Sequence, residues 1–175
     1  MKNLTFLALG VIVFLLAQAC QNNHPKNYNN ADIDSVGKKF IKTAIEGGLT
    51  EVKASGLAIT NSNNQRVIGL AKMMINDHTN ADSALLKIEA DKMIDGKDTI
   101  GTVHQQMIGS LSKQNGAAFD KVYLTMMVAD HQAAVDLFTN VSKSTDADVN
   151  KFAAATLPTI KMHLDSARSV LAMLK

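Results

Sequence analysis

The chain has 175 residues and a formal net charge of +2, and 46% of its residues are hydrophobic. A charge balance this close to neutral excludes the strongly basic surface that nucleic-acid binding requires, and a single cysteine excludes an intrachain disulfide. The length suffices for one domain with its own core. The two prolines and the absence of tryptophan favour a helical core of aliphatic residues and methionine.

The first nineteen residues have the pattern of an export signal. Lys2 is followed by a mostly apolar stretch from Leu4 to Ala17, which is too short to span a bilayer but typical of a signal peptide. A small residue stands directly before Cys20, as at a bacterial lipoprotein cleavage site. We therefore expect Cys20 to become a lipidated first residue that holds the domain at a cell-envelope membrane, in the periplasm or at the surface. The alternative is ordinary secretion, with Cys20 left free or removed.

The rest of the chain predicts a flexible polar tether at residues 20–31 and one all-α domain at residues 32–175. Apolar spacing indicates four long helices, with a short helix inside the long connection between the second and the third; the ranges are Asp32–Thr60, Asn63–Lys92, Thr99–Ser112, Ala117–Ser142 and Ala147–Leu174. Gly47-Gly48 are expected to kink the first helix, and Pro158 to bend or divide the last. Short turns within each helix pair predict an antiparallel four-helix bundle.

One run of residues occurs twice. Met73 to His78 returns fifty-three residues later as Met126 to His131, and the similarity extends along both helices. At alternating spacings of four and three, which place side chains on one side of a helix, the two rows are Val67, Ala71, Met74, His78, Ala81, Leu85, Ile88 and Asp120, Leu124, Met127, His131, Ala134, Phe138, Val141. Each histidine therefore lies halfway along a mostly apolar stripe.

Counting from the turns at about 1.5 Å per residue places metal-binding side chains at similar levels. His131 and His163 differ by only about 6 Å in height on that rise. In the first helix pair, His78 lies level with Glu46, whereas Glu51 lies somewhat nearer the turn. Imidazoles with a carboxylate are a ligand set for zinc, copper or iron. The sequence thus predicts a transition-metal site formed by the three histidines and one of the two glutamates.

Neighbouring residues are candidates to support these ligands. Asp77 and Asp130 each precede a histidine and point about 100° away around the helix, where they could accept a ring N–H across the interface. Met74 and Met127 lie one turn before His78 and His131, and thioethers beside imidazole would favour Cu(I).

A structural interpretation competes with the metal site. Asp–His pairs satisfy buried imidazoles without a metal, and a polar layer can set the register of packed helices. Methionine at helical spacing is usually a core residue. His104 has no partner at matching spacing and is expected on the surface. Catalysis is not expected, because no glutamate has the histidine three residues later that di-iron bundles use. No protein partner can be read from the sequence.

Four motifs in order point to a known family: Gly48-Leu49-Thr50-Glu51-Val52, the run from Met74 to His78, Phe119 to Tyr123 followed by Met127 to His131, and Leu157-Pro158 followed by His163-Leu164. From Phe40 to Leu174 the chain resembles the bacterial domain of unknown function 4142, which is grouped with the ferritin-like helical bundles. The second helix has Met74-Ile75-Asn76 where the family often has Met-Val-x. The resemblance implies a ferritin-like four-helix bundle in an exported or lipid-anchored protein, and it implies no activity.

Overall fold

A computed structural model describes residues 33–174 and contains five α-helices and one 3-10 turn, with no strand in that range. The helices are α1 (Ser35–Asn61), α2 (Gln65–Asp91), α3 (Thr102–Leu111), α4 (Gly116–Asn140) and α5 (Ala147–Ala172), and the 3-10 turn is Val141–Lys143. The chain is therefore all-α over the described range. The expected export signal, the lipidated Cys20 and the whole tether lie outside the described residues. Within residues 33–174, each helix is too short or too polar to cross a bilayer.

Side chains with oxygen acceptors begin three of the long helices. Asp34 accepts from the backbone N–H of Gly37 at the start of α1, Asn64 accepts from that of Arg66 at the start of α2, and Asp146 accepts from two N–H groups at the start of α5. These bonds satisfy donors that a helix start leaves without an intrahelical partner. Local sequence thus defines where these helices begin.

The helices pack in two pairs. α1 lies along α2, and α4 lies along α5; the pairs meet where α1 contacts α4 and α2 contacts α5, and the short α3 packs on α1 and α4. Two apolar clusters fill the space between the long helices. One includes Val67, Met74, Tyr123, Met127 and Ala167, and the other includes Phe40, Leu85, Phe138, Val149 and Ile160. On every long helix, a polar residue separates the positions that belong to the two clusters.

Neither expected break interrupts a helix. α1 continues through Gly47-Gly48, and α5 continues through Pro158. A proline inside a helix leaves the carbonyl four residues earlier without its donor. Here that carbonyl belongs to Ala154, and both Ala154 and Pro158 are exposed, so water can satisfy the freed oxygen. Of the two outcomes expected at Pro158, division of the helix is therefore wrong, and a bend stays a prediction.

Candidate metal centre

Three imidazoles from three different helices meet between the two apolar clusters. The ring centres of His78 on α2, His131 on α4 and His163 on α5 are 5.3 to 5.5 Å apart, so they form a nearly equilateral triangle. His131 and His163 are fully buried, and His78 is partly buried. One ring nitrogen from each histidine lies within 4.8 Å of the others, close enough to share one metal ion.

In two of these rings, the nitrogen that is not part of the triangle, called here the outer nitrogen, donates to a hydrogen-bond acceptor. The nitrogen that is part of the triangle is called the inner nitrogen. The Nδ1–H of His131 donates to the Met127 carbonyl oxygen at 2.9 Å, and the Nε2–H of His163 donates to Asp77 Oδ2 at 2.9 Å. Burial lowers the pKa of both histidines, and the charge of neighbouring imidazoles acts in the same direction. Both rings are therefore neutral at pH 7, and the tautomer of each is determined by its outer hydrogen bond.

The inner nitrogens of those two rings consequently carry lone pairs that face each other. His131 Nε2 and His163 Nδ1 are 3.3 Å apart, and no proton is available between them once the outer nitrogens hold theirs. Two acceptors at this distance repel unless a cation binds both. Orientation of the imidazole by an acceptor on its far nitrogen is the usual arrangement around metal-bound histidine.

Glu51 supplies the negative charge of the centre. Its Oε2 is 2.7 Å from His78 Nε2, and its Oε1 is 3.1 Å from His131 Nδ1. Burial alone would raise the pKa of Glu51, but the nearby imidazoles outweigh it and lower the pKa below its usual value. Burial likewise disfavours a charged His78, yet the attraction of Glu51 outweighs it and raises the pKa of that histidine. Glu51 therefore favours the protonated form of His78.

Two of the three separations between the inner nitrogens fit tetrahedral coordination. A tetrahedral site with metal–nitrogen bonds of about 2.0–2.1 Å places its ligand nitrogens about 3.3–3.4 Å apart. The observed separations are 3.4 Å between His78 Nε2 and His131 Nε2 and 3.3 Å between His131 Nε2 and His163 Nδ1. Glu51 Oε2 lies beside these nitrogens, 2.7 Å from His78 Nε2.

Glu46, the other candidate ligand, does not belong to this centre. Its Oε1 contacts His104 Nδ1 on α3 at 2.7 Å and accepts from the backbone N–H of Gly101 at 2.9 Å. Five residues along a helix rotate a side chain by about 140°, so Glu46 and Glu51 face different neighbours. His104, expected on the surface, is partly buried and has a partner, because α3 packs against α1 and brings its histidine to Glu46. No spacing within α1 or α3 signals this contact.

The two repeat-related aspartates behave differently. Asp77 accepts a hydrogen bond from His163. Asp130 receives no hydrogen bond from the described residues, although the Oδ2 of Asp130 is buried. Burial and the charges of Glu51 and Glu46 raise the pKa of Asp130 to about 6. Asp130 therefore orients none of the three rings.

The two methionines expected beside the histidines are core residues. Met74 and Met127 are fully buried in the apolar cluster that contains Tyr123. The part of Met127 that reaches a histidine is its backbone carbonyl.

These observations define a class of protein, namely an all-α protein with a buried centre of three histidines and one glutamate. The family model "Domain of unknown function (DUF4142)" matches residues 22–170, and the chain belongs to that family. No curated protein matches the chain.

One solved structure supports the fold. It is a crystal structure of a DUF305 fragment from Deinococcus radiodurans, similar with a TM-score of 0.73 over 82% of this chain and 100% of that chain. Sequence identity is 14%, so the similarity concerns the fold alone.

Proposed function

We propose that the protein binds one transition-metal ion through His78, His131 and His163, with Glu51 as the fourth ligand. The observation that carries the proposal is the 3.3 Å separation between His131 Nε2 and His163 Nδ1. The lone pairs of these two nitrogens face each other because the other nitrogen of each ring donates to Met127 or Asp77. A cation at the centre of the triangle removes their repulsion. The imidazole and carboxylate donors suit zinc, copper or iron.

The proposed role is binding and not catalysis. The four long helices form two pairs joined across the centre, which supports an antiparallel four-helix bundle of the ferritin-like type. Di-iron members of that class use Glu-x-x-His motifs, and Glu46, Glu51 and Glu89 each lack a histidine three residues later. A single His₃Glu site has a different ligand set, so the proposal assigns no di-iron chemistry to it.

Metal content of histidine variants tests the proposal. The purified protein, dialysed and analysed for metals, should contain close to one equivalent, and His78→Ala/His163→Ala should lose it. His104→Ala is the matched control, because this histidine contacts Glu46 outside the triangle, and it should retain the metal. Metal content that is equally low in all three proteins would refute the proposal.

A second candidate function is a structural one, in which the polar layer only sets the register of the helices in an envelope lipoprotein. It is favoured by the hydrogen bonds that already satisfy the outer nitrogens of His131 and His163. In that case, the double histidine variant should unfold at lower denaturant concentration although the wild-type protein carries little metal. Metal content and stability measured on the same samples separate the two functions.

We also propose that Cys20 anchors the protein to a cell-envelope membrane. The support is the apolar stretch from Leu4 to Ala17 followed by a single cysteine. Expressed in a bacterium, the protein should fractionate with membranes, and Cys20→Ser should appear in a soluble fraction. An unchanged membrane fraction for Cys20→Ser would refute the lipid anchor.

A further inference from the structure

A cavity of about 170 Å³ lies beside the histidine centre and is lined by residues of all four long helices, α1, α2, α4 and α5. Apolar side chains form most of its wall, among them Leu85, Phe138, Phe152 and Ile160. A cavity of about 150 Å³ in another protein accepts benzene. This one therefore has room for a six-membered ring and a few further atoms.

The cavity also has access to solvent. Thr43 on α1 and Ala133 on α4 belong to its lining, and both are exposed.

The polar end of the cavity contains three carboxylates and two imidazoles. Glu46 is paired with His104, and Glu51 is paired with His78. Asp130 is the third carboxylate, and its buried Oδ2 has no hydrogen-bond partner among residues 33–174. A buried acceptor without a partner is uncommon and calls for an explanation. The cavity end thus contains one buried acceptor without a donor among the described residues.

The internal repeat shows which hydrogen-bond donor Asp130 lacks. Asp77 on α2 faces α5, which presents His163 as a donor. Asp130 occupies the corresponding place on α4, where its charged neighbours are Glu51 and Glu46 on α1 and His104 on α3, and the Nδ1 of His104 is already paired with Glu46. Asp77 therefore has an imidazole N–H donor, whereas Asp130 has no donor among the described residues. The cavity lies beside Asp130.

We propose that the cavity binds a small organic cation, a primary ammonium group on a compact apolar body about the size of benzylamine, with the ammonium donating to Asp130. The apolar body contacts Phe138 and Phe152, which belong to the cavity wall. The ammonium supplies the hydrogen bond and the charge that Asp130 lacks. This site does not depend on metal binding at the three histidines.

Three probes of one shape test the chemistry of the site: benzylamine, benzyl alcohol and benzoate. Titrated into the intact, chelator-treated protein and followed by ligand-observed NMR, benzylamine should bind at least tenfold more tightly than benzyl alcohol, and benzoate should not bind. Equal binding of the amine and the alcohol would overturn the cation site and leave an apolar cavity. Binding of none of the three, or binding of benzylamine only after zinc is added, would also overturn it.

A matched pair of variants locates the charge. Asp130→Asn should weaken benzylamine binding tenfold or more, while leaving benzyl alcohol unaffected. Asp136→Asn makes the same change at an exposed position on the same helix and should leave both unchanged. If Asp130→Asn and Asp136→Asn bind benzylamine equally well, the assignment of Asp130 is wrong. The three-probe comparison on the wild-type protein decides the proposal even if Asp130→Asn fails to fold.

Discussion

Replacing Gly48 by alanine tests how closely α1 and α2 approach each other beside the histidine centre. A Cβ on Gly48 would lie within 2.7 Å of three atoms of the Asp82 carboxyl group on α2. Asp82 is a buried, short side chain with few helical rotamers, so either the carboxyl group or the helix must move. A Cβ on the preceding residue, Gly47, meets no atom within 4 Å. Gly47→Ala is therefore the matched control.

The expected difference in unfolding free energy between the two variants follows from two effects. Replacing glycine by alanine inside a helix stabilises it by about 1 kcal/mol, and this gain is common to both positions. Extra volume in a packed interior costs about 1–3 kcal/mol, and only Gly48→Ala incurs that cost. Gly47→Ala should thus raise the free energy of unfolding, and Gly48→Ala should fall below Gly47→Ala by about 1–3 kcal/mol. At about 3 °C per kcal/mol for a domain of this size, their Tm values should differ by several degrees.

Urea and thermal unfolding followed by circular dichroism measure the difference directly. If the contact with Asp82 causes it, the double variant Gly48→Ala/Asp82→Ala should recover stability relative to the sum of the two single variants. Equal stabilisation by Gly47→Ala and Gly48→Ala would refute the close approach of the two helices. So would a double variant whose effects simply add.

Three further predictions concern single side chains. Burial, followed by the charges of neighbouring carboxylates, raises the pKa of Asp82 to about 6, so the proton held in the folded state stabilises below about pH 4 and this contribution is lost as the pH rises through 6. Asp82→Asn should therefore gain stability relative to wild type between pH 4 and pH 7 in urea unfolding. Tyr123→Phe leaves the buried Ser55 hydroxyl without its 2.8 Å partner and should cost about 1–3 kcal/mol of unfolding free energy, whereas adding Ser55→Ala should restore part of it. Asp77→Asn should lower zinc affinity about 10–100-fold by calorimetry because it weakens a hydrogen bond that orients a ligand; Asp130→Asn should leave zinc affinity nearly unchanged, and equal losses in both would contradict the assigned roles.

The helices and the level of the histidines follow from local rules. Apolar spacing of four and three places His78 and His131 on the buried faces of their helices, and a constant rise per residue predicts that His163 lies near their level. Acceptor side chains such as Asp146 mark helix starts. These features depend on residues within about one or two helical turns, so one sequence is enough to predict them.

The choice of partners around the centre depends on the rotation of each helix and on which helix lies opposite. Glu51 reaches the imidazoles and Glu46 does not, although counting along α1 favours Glu46 for its level. Asp77 and Asp130 are equivalent in the repeat, yet α5 offers a histidine to one and α1 offers carboxylates to the other.

The sequence by itself therefore determined the all-α class, the helix ranges within a few residues and the depth at which the histidines lie. Only the tertiary structure decided which carboxylate joins them, which aspartate remains without a donor and where α3 brings His104. The physical reason is that spacing along one helix determines height and face within that helix, while contacts between helices depend on packing across the whole core.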